Sequence, residues 1–158
     1  IQWAAITAFQ GGDWLEEYLS RARRVLSSLG RWIARRFRDS GIPCERPAGA
    51  FYVFPDFSVL RESLETRGVR TSRDLCEALL EEAGVVVLPG ADFGRDEREL
   101  TVRIAYVDFD GRQALDAARD LPREPARNEA FLRKYCPEML AAIGRIQSWV
   151  AGLGGDPG

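Results

Sequence analysis

Arg103 is the side chain in this sequence best suited to bind a negatively charged ligand. It lies in segment 100–107, whose alternation predicts a strand with Leu, Val, Ile and Tyr on one face. On the other face Arg103 stands between the small residues Thr101 and Ala105, which leaves room above the guanidinium. A planar guanidinium can bind a carboxylate through two parallel hydrogen bonds. Spacing alone still favours a solvated arginine, because exposed arginines are the common case.

The composition restricts the other chemistry available. The chain contains no histidine, which removes Ser-His-Asp and Cys-His catalysis, and Lys134 is its single lysine among 22 basic residues. A Schiff base would have to use Lys134 or a lysine from elsewhere. Cys44, Cys76 and Cys136 are odd in number and form no C-x-x-C motif. We therefore expect no disulfide framework and a cytoplasmic location.

Charge and hydropathy argue against nucleic-acid and membrane partners. The net charge is −2, and both signs are mixed through the 158 residues. No apolar run approaches the roughly 20 residues needed to span a bilayer. One long predicted helix has a basic side, which we interpret as solvated. Its basic residues are Arg21, Arg24, Arg31, Arg35 and Arg38.

Two further motifs are weak. The run G-A-D-F-G at 90–94 lacks the G-x-G-x-x-G spacing and does not open a predicted helix, so a nucleotide-binding loop is not expected. Asp108 and Asp110 could bind a divalent cation, but Asp110 is better explained as a helix N-cap. We therefore predict no metal site.

Capping signals and hydrophobic periodicity predict the order helix, two strands, helix, two strands, helix, helix. Helices are expected at 2–9, 13–40, 72–83, from 110 to a stop at Pro122, and from Asn128 with a kink or restart at Pro137, and strands at 42–46, 50–54, 85–88 and 100–107. Asp13 is expected to be an N-cap, and Thr71 with Asp74 three residues later is another capping signature. A linker is expected at 122–127 and a flexible tail at 152–158.

This order predicts an α+β fold. We expect a small mixed or antiparallel sheet with helices packed on one face, preceded by a long linking helix. Strands 42–46 and 50–54 are expected to form a hairpin. Their aromatic residues Phe51, Tyr52 and Phe54 are expected to lie in the core. Leu80 is expected on the buried side of the helix at 72–83, and Tyr18 on the apolar side of the long helix.

Three motifs occur in an order that identifies a family resemblance. They are P-A-G-A-F-Y-V-F at 47–54, L-L-E-E-A-G-V-V-V-L-P-G-A-D-F-G at 79–94 and L-T-V-R-I-A-Y at 100–106. Together they resemble the C-terminal, small domain of fold-type I, pyridoxal-phosphate-dependent aminotransferases of class I/II. The resemblance implies that Arg103 binds the α-carboxylate of an amino-acid or 2-oxo-acid substrate. It also implies that Phe93 and Gly94 line the site.

The resemblance further implies a division of the chain. Residues 1–12 would be a remnant of the end of a large cofactor-binding domain, 13–121 the small domain, 122–151 a helical extension and 152–158 a tail. The family's cofactor, pyridoxal 5'-phosphate, is bound by that large domain, whose Schiff-base lysine has no counterpart here because Lys134 lies in a different motif. We therefore expect no catalytic or cofactor-binding residue in this chain, inactivity of the chain alone, and a homodimer for the complete enzyme.

Two alternatives remain open at the level of sequence. Another fold-type I reaction of this cofactor, such as elimination or decarboxylation, would use the same carboxylate-binding arginine. A non-catalytic α+β module that binds a carboxylate or mediates dimerisation would also account for an arginine on the free face of a sheet.

Overall fold

The computed structural model describes residues 1–120 and 129–153, and within them helices alternate with three short strands. The helices are α1 Gln2–Gln10, α2 Asp13–Asp39, α3 Arg61–Thr66, α4 Ser72–Ala83, α5 Gly111–Ala117, α6 Glu129–Tyr135 and α7 Pro137–Gly152; the strands are β1 Tyr52–Val53, β2 Leu88–Pro89 and β3 Val102–Ala105. Short 3-10 helices cover Phe57–Leu60, Gly90–Phe93 and Ala118–Asp120. Several predictions from the sequence lie outside the described residues. They are the stop of the helix from 110 at Pro122, the linker at 122–127, the helix start at Asn128 and most of the tail. No helix within the described ranges has the length and apolar character needed to cross a membrane.

The predicted α+β class is confirmed, and the sheet is antiparallel. Its strand order is β1-β3-β2, with Val53 paired to Ile104 and Pro89 paired to Val102. Helix α2 contacts β1, and α4 contacts β2 and β3. The alternate residues of β3, Val102 and Ile104, are buried in the same core cluster as Phe37 of α2. Helices therefore cover one face of the central strand.

The predicted hairpin between 42–46 and 50–54 is wrong. Cys44 makes only an isolated bridge to Pro55, and β1 pairs with β3 instead. Pro43 and Pro47 have no N–H groups, so this segment cannot donate the ladder bonds of a regular strand. The predicted strand 85–88 is also shorter, since regular pairing begins only at Leu88.

Local capping signals are mostly confirmed. Thr71 and Asp74 form a reciprocal capping box at the start of α4, and Asp110 accepts a hydrogen bond from the backbone N–H of Gln113. Pro137 occupies the first turn of α7, which confirms the predicted restart. Asp13 is the first residue of α2 and not its N-cap, because the carbonyl of Gly12 accepts the first helical hydrogen bonds.

Close backbone packing positions α2 against the end of β3. A Cβ atom on Gly30 would lie 2.7 Å from the hydroxyl oxygen of Tyr106 and 2.7 Å from a ring carbon of Pro47. The Tyr106 hydroxyl donates a hydrogen bond of 3.2 Å to the carbonyl of Ala50, and burial raises the pKa of Tyr106 to about 12. The glycine therefore allows a buried tyrosine to link the helix to the loop before β1.

A second close approach joins the end of β2 to β3. The backbone N–H of Gly90 donates to the carbonyl of Thr101 at 2.9 Å. A Cβ atom at Gly90 would lie 2.0 Å from Oγ1 of Thr101. Only glycine allows this contact, which places the 3-10 helix Gly90–Phe93 beside the central strand.

Several apolar side chains lie outside the core. Helix α1 has no buried residue. Tyr18, predicted on an apolar side of its helix, and Leu80, predicted to be buried, are each 51% exposed. The predictions are wrong at these positions because helical periodicity identifies an apolar side of a helix but does not supply an element that covers it.

The three cysteines are free thiols. Burial raises the pKa of Cys44 and Cys76 to about 11 and that of Cys136 to about 12. Thiols with such pKa values contain little of the nucleophilic thiolate at neutral pH. They therefore act as small apolar side chains.

We predict that Gly90→Ala lowers the free energy of unfolding by about 1–3 kcal/mol, because the added methyl group overlaps Thr101. Chemical denaturation monitored by circular dichroism measures the change. Gly144→Ala in α7 is the matched control: its Cβ would have no neighbour within 4 Å, and it should raise stability by about 0.5–1 kcal/mol. Equal stability of Gly90→Ala and the parent protein would contradict the close approach.

Candidate functional site

The guanidinium of Arg103 is stacked between two aromatic rings. Its Cζ atom lies 3.8 Å from the ring centroid of Phe93 and 4.4 Å from that of Tyr52. The Nε atom is fully buried and has no hydrogen-bond partner. Contacts of this kind attract a cation to the ring faces but do not neutralise its charge. We call Arg103, Tyr52 and Phe93 the arginine stack.

Strand register brings the stack together. Tyr52 pairs with Ala105, so it lies on the same face as Arg103 and diagonally adjacent to it. Leu88 pairs directly with Arg103 and is also exposed on this face. On the face opposite the core, Arg103 therefore lies beside the apolar side chains of Tyr52 and Leu88.

The second ring is delivered by the 3-10 helix after β2. Phe93 is its last residue, and Gly94 ends it with a left-handed backbone, φ 80°. The helix is attached to the start of α4, where Arg73 pairs with Asp92 at 2.7 Å and the N–H of Ala91 donates to the Ser72 hydroxyl at 3.4 Å. These contacts hold the Phe93 ring over the sheet.

An edge-to-face contact extends the aromatic surface. The rings of Phe54 and Phe93 are 5.9 Å apart at an interplanar angle of 85°, and those of Phe51 and Tyr52 are 4.4 Å apart. Phe51 is 36% exposed and Phe54 is 42% exposed, so the prediction that they lie in the core is wrong. They line the solvent side of the sheet because β1 pairs with β3 and not with the preceding segment.

The charge of Arg103 is unpaired in the described part of the chain. Within residues 1–120 and 129–153 no carboxylate forms an ion pair with its guanidinium. Neighbouring arginines differ, since Arg73 pairs with Asp92 and Arg95 pairs with Glu99 at 2.7 Å. An anion approaching the free face would therefore meet an oriented guanidinium with no competing carboxylate.

Sequence reasoning located part of this arrangement. The structure brings together two of the predicted residues, Arg103 and Phe93, and places Gly94 at the end of the helix that carries Phe93. Tyr52 was missed as a partner of the arginine. The proximity of Tyr52 to Arg103 follows only from the register between β1 and β3, because the two residues are 51 positions apart in the chain.

Comparison with known proteins supplies the family. The family model "Aminotransferase class I and II" matches residues 1–115. The chain is 35% identical over 106 residues to an aspartate aminotransferase of Geobacillus stearothermophilus, a match that covers 66% of this chain and 25% of that protein. It is 33% identical over 107 residues to aromatic-amino-acid aminotransferase 2 of Thermococcus litoralis, covering 67% of this chain and 25% of that protein. The matched stretch thus spans about a quarter of the length of these relatives.

A solved structure agrees on the fold. The aspartate aminotransferase of Thermotoga maritima superposes with a TM-score of 0.51 over 95% of this chain and 28% of its own chain, at 22% identity. The strand carrying Arg103, the 3-10 helix carrying Phe93 and the segment carrying Tyr52 all lie inside the matched range 1–115. The chain therefore belongs to the class I and II aminotransferase family.

Proposed function

We propose that this chain is the small, C-terminal domain of a pyridoxal-phosphate-dependent aminotransferase and that Arg103 binds the substrate α-carboxylate. The observation that carries the proposal is the unpaired guanidinium held between two rings on the open face of β3. The substrates are an amino acid and a 2-oxo acid, both of which carry that carboxylate. Family membership supports the reaction class.

The stack accounts for orientation as well as attraction. Contact with two rings limits the movement of the guanidinium, which reduces the freedom that Arg103 would lose on binding a ligand. A carboxylate bound at both oxygens has its Cα held in one position relative to the protein. Holding Cα in one position lowers the barrier to a reaction at the bonds of that atom, because the orientation has already been provided by binding.

The residues of this chain do not fit the cofactor itself. Pyridoxal phosphate forms a Schiff base with a lysine, and the single lysine of the chain is Lys134. Lys134 is exposed on α6, with its Nζ 5.2 Å from the ring of Tyr135, and the main contacts of α6 are with α2 and α7. We therefore place the cofactor on a different part of the complete protein.

Helix α1 supports a division into domains. Its residues Trp3 and Phe9 are 86% and 91% exposed, and none of its side chains is buried by the rest of the described chain. Exposed apolar surface of this kind is typical of an interface. We propose that residues 1–12 belong to the end of a large cofactor-binding domain, that 13–121 form the small domain and 122–151 an extension, and that the complete enzyme is a cytoplasmic homodimer.

We predict that Arg103→Leu in the complete protein lowers kcat/KM for both substrates by about 100-fold or more, because two charge-assisted hydrogen bonds of about 1.5–3 kcal/mol each are lost. Steady-state kinetics measure the loss, and the cofactor absorbance should be unchanged. Arg112→Leu, which removes an exposed arginine of α5, is the control and should be neutral. Unchanged kinetics for Arg103→Leu would refute the assignment.

A second prediction concerns the two rings. Phe93→Leu and Tyr52→Leu should each raise KM by about 2- to 30-fold, because a cation–π contact contributes about 0.5–2 kcal/mol. Tyr52→Phe keeps the ring and should leave KM within about twofold of the parent value. If Tyr52→Phe and Tyr52→Leu raise KM equally, the ring face is not what positions Arg103.

A third prediction concerns the chain alone. Mixed with pyridoxal phosphate and an amino acid, the 158-residue chain should yield no 2-oxo acid and no absorbance change beyond that of free cofactor, because its single lysine, Lys134, lies on α6 and is not part of the arginine stack. The complete protein is the positive control. If the chain forms product and Lys134→Ala abolishes this activity, the proposal that the cofactor lies on a different part of the complete protein is wrong.

A further inference from the structure

A second cationic site lies between α2 and α6. A cavity of about 200 Å³ is lined there by Arg31, Arg35, Arg38, Arg46 and Glu129, and we call it the arginine cavity. Three of these arginines come from successive turns of α2, and Arg46 comes from the segment that follows the helix. The cavity shares no residue with the arginine stack. Glu129 lies beyond residue 115, where the family match ends.

The described lining carries four positive charges against one negative charge. Arg35 and Glu129 form an ion pair at 3.8 Å, and Arg38 donates a hydrogen bond of 2.8 Å to the carbonyl of Cys44. Within residues 1–120 and 129–153, the guanidinium groups of Arg31 and Arg46 have neither an ion pair nor a hydrogen bond. Most of the positive charge in the cavity is therefore uncompensated by this part of the chain.

Arg31 is the least satisfied of the four. Its Nε atom is fully buried and has no acceptor, so the prediction that this side of α2 is simply solvated is wrong at Arg31. Burial of the guanidinium, followed by the like charge of Arg46, lowers the pKa of Arg31 from its usual range. A buried donor without a partner is costly, and an oxyanion between Arg31 and Arg46 would supply the missing acceptors.

We propose that the arginine cavity binds a small polyanion, a molecule with at least two phosphate or carboxylate groups. One group would lie between Arg31 and Arg46, and a second would be within the reach of Arg35 and Arg38. The bound molecule would connect α2, the segment after it and α6. The small volume favours a small molecule over nucleic acid, which needs a longer row of free basic side chains; on the same helix Arg21 is already paired with Glu17.

The test is isothermal titration calorimetry of the complete protein, saturated with pyridoxal phosphate, with inorganic pyrophosphate and citrate as separate probes. We expect saturable binding of at least one probe, weakened by added potassium chloride. Arg46→Gln and Arg31→Gln should each weaken it by about tenfold or more, because charge-assisted hydrogen bonds are lost. Arg46 is exposed, so its variant carries the test even if Arg31→Gln fails to fold.

Two controls separate this site from others. Arg23→Gln removes an exposed arginine of α2 outside the cavity and should leave the affinity within about twofold. Arg103→Leu should also leave it unchanged, which separates failure of this proposal from failure of the proposed function. Absence of saturable binding by both probes, equal affinity in the parent and Arg46→Gln, or binding of an oligonucleotide but neither probe would overturn the proposal.

Discussion

The alternation of β3 is the constraint on which the rest of this molecule depends. Val102 and Ile104 point into the core, and Arg103 between them points to the opposite face. A shift of one residue in strand register would expose the two apolar side chains and bury the guanidinium, so the register is strongly determined. The close contact of Gly90 with Thr101 aligns the neighbouring chain with β3 in that register. Core packing and the orientation of Arg103 are thus consequences of the same pairing.

Arg103 and Arg31 illustrate two different ways in which a partly buried guanidinium is accommodated. Arg103 lies between neutral rings, which attract the cation and orient it while leaving its charge available. Arg31 lies near other guanidinium groups, so burial and repulsion by Arg46 act in the same direction. The neighbours of Arg103 are therefore compatible with its charge, whereas those of Arg31 oppose it.

The arginine stack is assembled from three segments that are far apart in the chain. Tyr52 precedes the strand by about fifty residues, and Phe93 arrives on a 3-10 helix held to α4 by Arg73 and Ser72. Each segment is short, and the sheet contributes only a few paired residues. The geometry is therefore maintained by contacts between elements that are distant in the chain.

Sequence by itself determined the local features: the bounds of α2 and α4, the capping by Thr71 and Asp110, the restart at Pro137 and the two faces of β3. These depend on residues within a few positions of one another, so periodicity and capping chemistry suffice. Tertiary structure alone decided the partner of β1, the exposure of Phe51 and Phe54, the stacking of Tyr52 on Arg103 and the burial of the Arg31 Nε atom. Each of these depends on which distant segment packs alongside, and a local pattern contains no information about that choice.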